Sequence, residues 1–179
     1  MRRELLHTPE GVRDIYNGEC DKKQRIEQEL HQTFLSFGYH TIQTPTFEFF
    51  DVFNREIGTI PSKDLYKFFD REGNTLVLRP DMTPSIATAA MYFGEETMPI
   101  RLCYAGNIFI NNNSYQGRLK ESTQLGAELI GDDSIEADAE ILAMAVECLK
   151  KAGLEKFQIS IGHAGFLKGL MEEAGLNEE

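Results

Sequence analysis

Positive charge is in short supply relative to negative in this sequence. Its 18 Lys and Arg stand against 29 Asp and Glu, which leaves a net charge of -11 and a pI near 4.9. A broad nucleic-acid footprint needs a basic surface, so the balance argues against one. Arg118 and Lys120 still leave room for a local basic patch. The acidity itself serves solubility. Cysteine is also scarce. Cys20, Cys103 and Cys148 lie far apart, with no CxxC pair and no histidine at ligand spacing, so neither a structural zinc site nor a disulfide framework is expected. Reduced thiols and a cytoplasmic location follow as expectations. No apolar run approaches the ~20 residues of a membrane helix. The start, MRRELLHTPEGVRD, lacks the apolar stretch of a signal peptide. GxSxG, P-loop and GxGxxG patterns are missing too, as are internal repeats and low-complexity tracts.

What is present reads as one domain. The chain has 179 residues, 41% of them apolar and 26% charged, enough for a sizeable core. Ile26, Leu30, Phe34 and Phe37 recur at helical spacing, which predicts a helix over Glu19 to Phe37, ended by Gly38. A short strand is expected from Tyr39 to Ile42, stopped by Pro45, and then an aromatic-rich helix from Phe47 to Ile57. Leu65 to Asp70 and Thr75 to Arg79 read as strands joined by the turn Arg71-Glu72-Gly73-Asn74. Asp81 to Phe93 reads as a helix with Pro84 in its first turn. Two long strands flank the polar loop Asn111 to Gly117. Ser134 caps a helix that runs to Ala152, with Glu136, Asp138 and Glu140 near its positive end. Phe157 to Gly162 reads as a strand, and Ala164 to Ala174 as a helix. This alternation predicts an α+β fold: an antiparallel sheet with helices packed on one face.

Three places could carry chemistry. In LRPDMTP, Asp81 stands where a strand leads into a helix, with Arg79 and Thr83 on either side. Asp81 can bind an ammonium, or it can simply cap the helix, with Arg79 a surface charge. In QLGAE, alternation puts Gln124, Gly126 and Glu128 on one face of a strand. Glu128 can accept an N–H, Gln124 can donate and accept, and the glycine lets a ligand approach the backbone. The alternative is a plain exposed polar face. Arg118, with Lys120, could hold a phosphate or carboxylate, or form a solvated edge. His163 opens the last helix as a structural or capping residue, and His7, His31 and His40 form no cluster. No metal site is expected.

TPEGVRD, GYHTIQTP, LYKFFDREGNTLVLRPDMTP and QGRLKESTQLGAELIG occur in an order that resembles the histidyl-tRNA synthetase catalytic fold over nearly the whole chain. The resemblance implies a class II synthetase-like core, an antiparallel sheet flanked by helices. It implies a homodimer with Pro45 at the interface, and a chain that stops at Glu179 before the third class II motif. That fold serves two kinds of protein: the synthetase, which activates histidine with ATP and loads tRNA, and a silent paralogue, the regulatory subunit of short-form ATP phosphoribosyltransferase. Departures from the synthetase pattern favour the paralogue. Ile110 stands where the synthetase has the arginine that binds the α-phosphate of ATP. Asn112 replaces an acidic residue, and Ser122 the phenylalanine that stacks on adenine. Asp81, Thr83, Gln124 and Glu128 match histidine contacts, Asp81 with one methylene fewer than the family's glutamate. The wording PEGVRD and LRPDMTP also resembles the paralogue more. The paralogue implies no catalysis, no cofactor and no tRNA. It implies histidine as ligand and a homodimer within a hetero-oligomer with the catalytic phosphoribosyltransferase subunit.

Overall fold

A computed structural model describes residues 8–54, 60–94, 97–112 and 117–175. The frame is a three-stranded sheet built on the long hairpin. Strands β5 (Ile100–Phe109) and β6 (Glu121–Ile130) pair antiparallel along their full length, and β1 (His40–Thr41) joins β5 in parallel. Their alternation decides what covers each face. Cys103 of β5 and Leu125, Ala127 and Leu129 of β6 meet helix α1 (Asn17–Ser36) and helix α4 (Ile135–Lys151) through Phe34, Ile141 and Met144. Ile100, Leu102 and Tyr104 of β5 point the other way. They pack on Met82, Ile86 and Ala90, which belong to or adjoin helix α3 (Thr83–Ala90). Fully burying a side chain such as Ile86 contributes about 1.5–3 kcal/mol. Helices therefore lie on both faces of the sheet, not on one as the alternation of elements predicts.

A second small sheet orders β2 (Phe47–Phe49), β4 (Thr75–Leu78) and β3 (Lys67–Phe69), all antiparallel. Val77, wholly buried, packs on Phe53 of the short helix α2 (Phe50–Asn54) and on Leu65. The aromatic run from Phe47 thus splits into a strand and a helix rather than forming one helix. Phe47 and Phe49 sit at β-register opposite Leu78 and Leu76, where cross-strand pairing wins over helical propensity. Residues 55–59 of that expected helix lie outside the described residues. The outer side of this sheet stays open: Phe47, Phe49 and Phe68 share that face and are exposed, and Phe47 meets Phe68 edge-on at 5.6 Å.

Ser134 caps α4 as expected, its hydroxyl accepting from Ala137 N at 3.2 Å. His163 caps the last helix, α5 (Ala164–Glu173), through Nδ1, which accepts from Phe166 N at 3.2 Å. The expected strand over Phe157 to Gly162 is not formed. No neighbouring strand is present among the described residues to receive its ladder, and Phe157 and Ile161 remain exposed.

Candidate functional site

The start of α3 rests on the polar row of β6. Gln124 holds the junction with both ends of its amide. Its Nε2 donates to Asp81 Oδ1 at 3.0 Å, and its Oε1 accepts from Met82 N at 3.0 Å. Asp81 Oδ1 also accepts from Thr83 N at 3.2 Å. Met82 itself is the N-cap position of α3, so Asp81 acts one residue before the cap, closing the turn into the helix. Four residues further along the same face of β6, Thr83 Oγ1 donates to Glu128 Oε1 at 2.9 Å. Asp81, Thr83, Gln124 and Glu128, separated by up to 47 positions in sequence, thus form one hydrogen-bonded cluster between α3 and β6.

Tyr104, on β5, is the member that sequence patterns alone do not reveal. It is 3% exposed, and its hydroxyl donates to Glu128 Oε1 at 3.1 Å. It lies opposite Gly126 in register, and a Cβ at Gly126 would fall 2.4 Å from the phenol oxygen. Gly126 therefore makes room for a tyrosine of the same protein, where the sequence points to ligand approach. The signal lay in the pairing of Tyr104 with Gly126, visible only once the hairpin register is known.

Arg79 is no surface charge. It is 7% exposed, and its side chain is spent on backbone carbonyls. Nε donates to Asn107 O at 2.8 Å, and Nη1 to Thr44 O and Pro45 O at 2.9 and 3.2 Å. Burial pushes its pKa down from the usual guanidinium value. The guanidinium lies over Gly106, where a Cβ would sit 2.5 Å from Nη2. Arg79 ties the turn before β2 to β5 and so sets the platform on which Asp81 is presented.

Arg118 and Ser122 are exposed, and Arg118 makes no hydrogen bond or ion pair among the described residues. Ile110, half-buried just past β5, donates its backbone N–H to Lys120 O at 2.9 Å. Most of the hairpin tip, residues 113–116, lies outside the described residues. Behind the sheet, on the α1 side, a cavity of about 560 Å³ opens among Arg13, Lys22, Ile26, Thr123 and Leu125. It faces away from the Glu128 cluster. Among the described residues no group of His, Cys, Asp and Glu is arranged to hold a metal, and no helix is long and apolar enough to cross a membrane.

Two buried phenols, Tyr104 in the site and Tyr39 in the core on the opposite face of the sheet, are unusually weak acids. Burial pushes Tyr104 up to about 12, with the neighbouring Glu128 charge adding to the rise and the Thr83 hydroxyl opposing it. Burial and then the hydrogen bond to Glu140 raise Tyr39 further. The folded state holds both protons more tightly than an unfolded chain does. The stability this gives is complete below the ordinary phenol pKa of ~10 and is lost as pH rises through the raised values. In an alkaline absorbance titration of the six tyrosines, the last steps should belong to Tyr39 and Tyr104 and coincide with unfolding. A folded protein whose tyrosines all ionise near pH ~10 would contradict this burial.

The comparisons with known proteins now bear directly on this arrangement. The family model for histidyl-tRNA synthetase matches residues 11–179. The chain belongs to the histidyl-tRNA synthetase family. Within that family its curated relatives include the ATP phosphoribosyltransferase regulatory subunit of Ruminiclostridium cellulolyticum, 48% identical across 100% of this chain and 43% of that protein. The protein of the same name from Acetivibrio thermocellus is 47% identical over 97% of this chain and 42% of its own length. Among solved structures, an ATP phosphoribosyltransferase regulatory subunit/histidyl-tRNA synthetase from Bacillus halodurans superposes with a TM-score of 0.84 at 36% identity, covering 94% of this chain and 44% of that one. The apo histidyl-tRNA synthetase of S. aureus gives 0.70 at 30% identity, covering 84% of this chain and 35% of that one. The class II synthetase-like α+β fold is therefore established. The chain spans less than half the length of these relatives.

Proposed function

We propose that this chain is part of a non-catalytic regulatory subunit of ATP phosphoribosyltransferase, which serves the first step of histidine biosynthesis and relays feedback inhibition by histidine. The observation that carries the reading is the 48% identity to a curated regulatory subunit across the whole chain. The site fits it. Asp81 offers a carboxylate for an α-ammonium and Glu128 one for an imidazole N–H, with Thr83 and Gln124 fixing both. The nucleotide side offers little. Ile110 cannot neutralise a phosphate, Ser122 cannot stack on a base, and Arg118 is the remaining candidate for an anion contact. Loss of one preorganised transition-state donor typically costs ~3–4 kcal/mol.

Its partners in this reading are histidine and the short catalytic phosphoribosyltransferase subunit, with no role for tRNA. A second copy of the chain is the third. Pro45 is exposed and leads directly into Phe47 and Phe49, whose open aromatic face is the kind of surface a homodimer would cover. Histidine acts here by linkage, shifting the assembly toward whichever quaternary state binds it more tightly.

The competing reading is a histidyl-tRNA synthetase catalytic domain, favoured by the family match alone. Histidine-dependent pyrophosphate–ATP exchange separates the two. The natural gene product should show no exchange above background. Exchange at a rate comparable to an authentic synthetase would establish the enzyme reading instead.

A further inference from the structure

Glu128 is held by one oxygen only. Oε1 accepts from both Thr83 Oγ1, at 2.9 Å, and Tyr104 OH, at 3.1 Å, while Oε2 receives no hydrogen bond from any described residue. The two donors come from different elements. Thr83 is in the first turn of α3, and Tyr104 is in the middle of β5. Together they fix the rotation of the carboxylate about its last bond, which a single donor would leave free. Tyr104 has little freedom of its own. It is buried against Met82 and Ile86, its ring lies over Gly126, and a Cβ at that glycine would meet the hydroxyl at 2.4 Å.

We infer that Tyr104 is a positioning residue for ligand selection: with Thr83 it occupies Oε1 of Glu128 and so presents Oε2 as the single acceptor for a ring N–H of the bound amino acid. This inference rests on the histidine-binding reading and names the device that would give that site its selectivity. An ionised carboxylate accepts and never donates. An acceptor fixed in one direction rewards a ligand that places an N–H on that line, and penalises one that leaves the carboxylate unpaired. Ring N-methylation of histidine removes such an N–H.

The test is calorimetric titration of histidine into the natural gene product and its variants. Tyr104→Phe deletes the donor and keeps the ring. It should weaken histidine binding roughly tenfold, at the low end of what a hydrogen bond to a charged group carries. Gly126→Ala keeps the hydroxyl but pushes it away from Glu128, and should give the same loss. In a Glu128→Gln background, Tyr104→Phe should change affinity by less than about twofold, because the group it orients is altered. The preference for histidine over its ring-N-methylated forms should narrow in Tyr104→Phe. Equal weakening by Tyr104→Phe in both backgrounds would mark the tyrosine as merely structural and overturn the inference, as would unchanged affinity in Tyr104→Phe. A wild-type protein that binds no histidine would instead bring down the histidine-binding reading, and the inference with it.

Discussion

Replacing Arg79 by methionine should cost about 3 kcal/mol of stability, since each buried carbonyl left without its donor costs about 1–3 kcal/mol. The methionine keeps most of the apolar stem, so lost packing is a small part of the effect. What goes is the set of three hydrogen bonds from Nε and Nη1 to Asn107, Thr44 and Pro45. These carbonyls come from two separate stretches of chain, and methionine gives them no donor in exchange. Lysine at the same position should recover only part of the loss, since a single ammonium cannot reproduce a fork that spans both stretches. Urea unfolding of wild type, Arg79→Met and Arg79→Lys checks the order. A loss below ~1 kcal/mol for Arg79→Met would mean that the carbonyls find other partners and that the platform does not depend on the guanidinium.

Arg79 also shows where the sequence stops being legible. LRPDMTP marks a strand leading into a helix, and the structure has both. Whether the arginine lies on the surface or inside depends on Gly106, 27 positions later, which leaves the space above β5 open to it. The same holds for Tyr104 and Gly126. Local periodicity and turn chemistry set the long hairpin, α1 and α4, because each element carries its own apolar stripe and α4 its own cap. The alternation of Gln124, Gly126 and Glu128 put the polar row on one face correctly. It could not say that α3 would settle there and engage Gln124 through both ends of its amide. The aromatic run at Phe47 was misleading for a related reason. Its split into strand and helix depends on pairing with β4, a contact between distant segments. Phe157 to Gly162 has strand-like composition, but a strand exists only where a ladder partner is present.

The second large effect concerns activity. A silent subunit with a histidine site should act on its partner in an all-or-none way, because the catalytic chemistry lies elsewhere and only the quaternary state is shared. Histidine sensitivity should in turn depend on Glu128. Removing its charge in Glu128→Gln leaves the shape nearly unchanged and weakens a charge-assisted contact worth roughly 1.5–3 kcal/mol, about 10- to 150-fold in affinity. The variant should therefore assemble and support activity while needing far more histidine for inhibition.

Reconstitution tests this most directly: the natural gene product is mixed with the short catalytic ATP phosphoribosyltransferase subunit, and phosphoribosyl transfer to ATP is followed with and without histidine. Activity should appear only with both proteins present, histidine should suppress it, and Glu128→Gln should shift the suppression to higher histidine. A catalytic subunit equally active alone, or a complex indifferent to histidine, would contradict the regulatory reading.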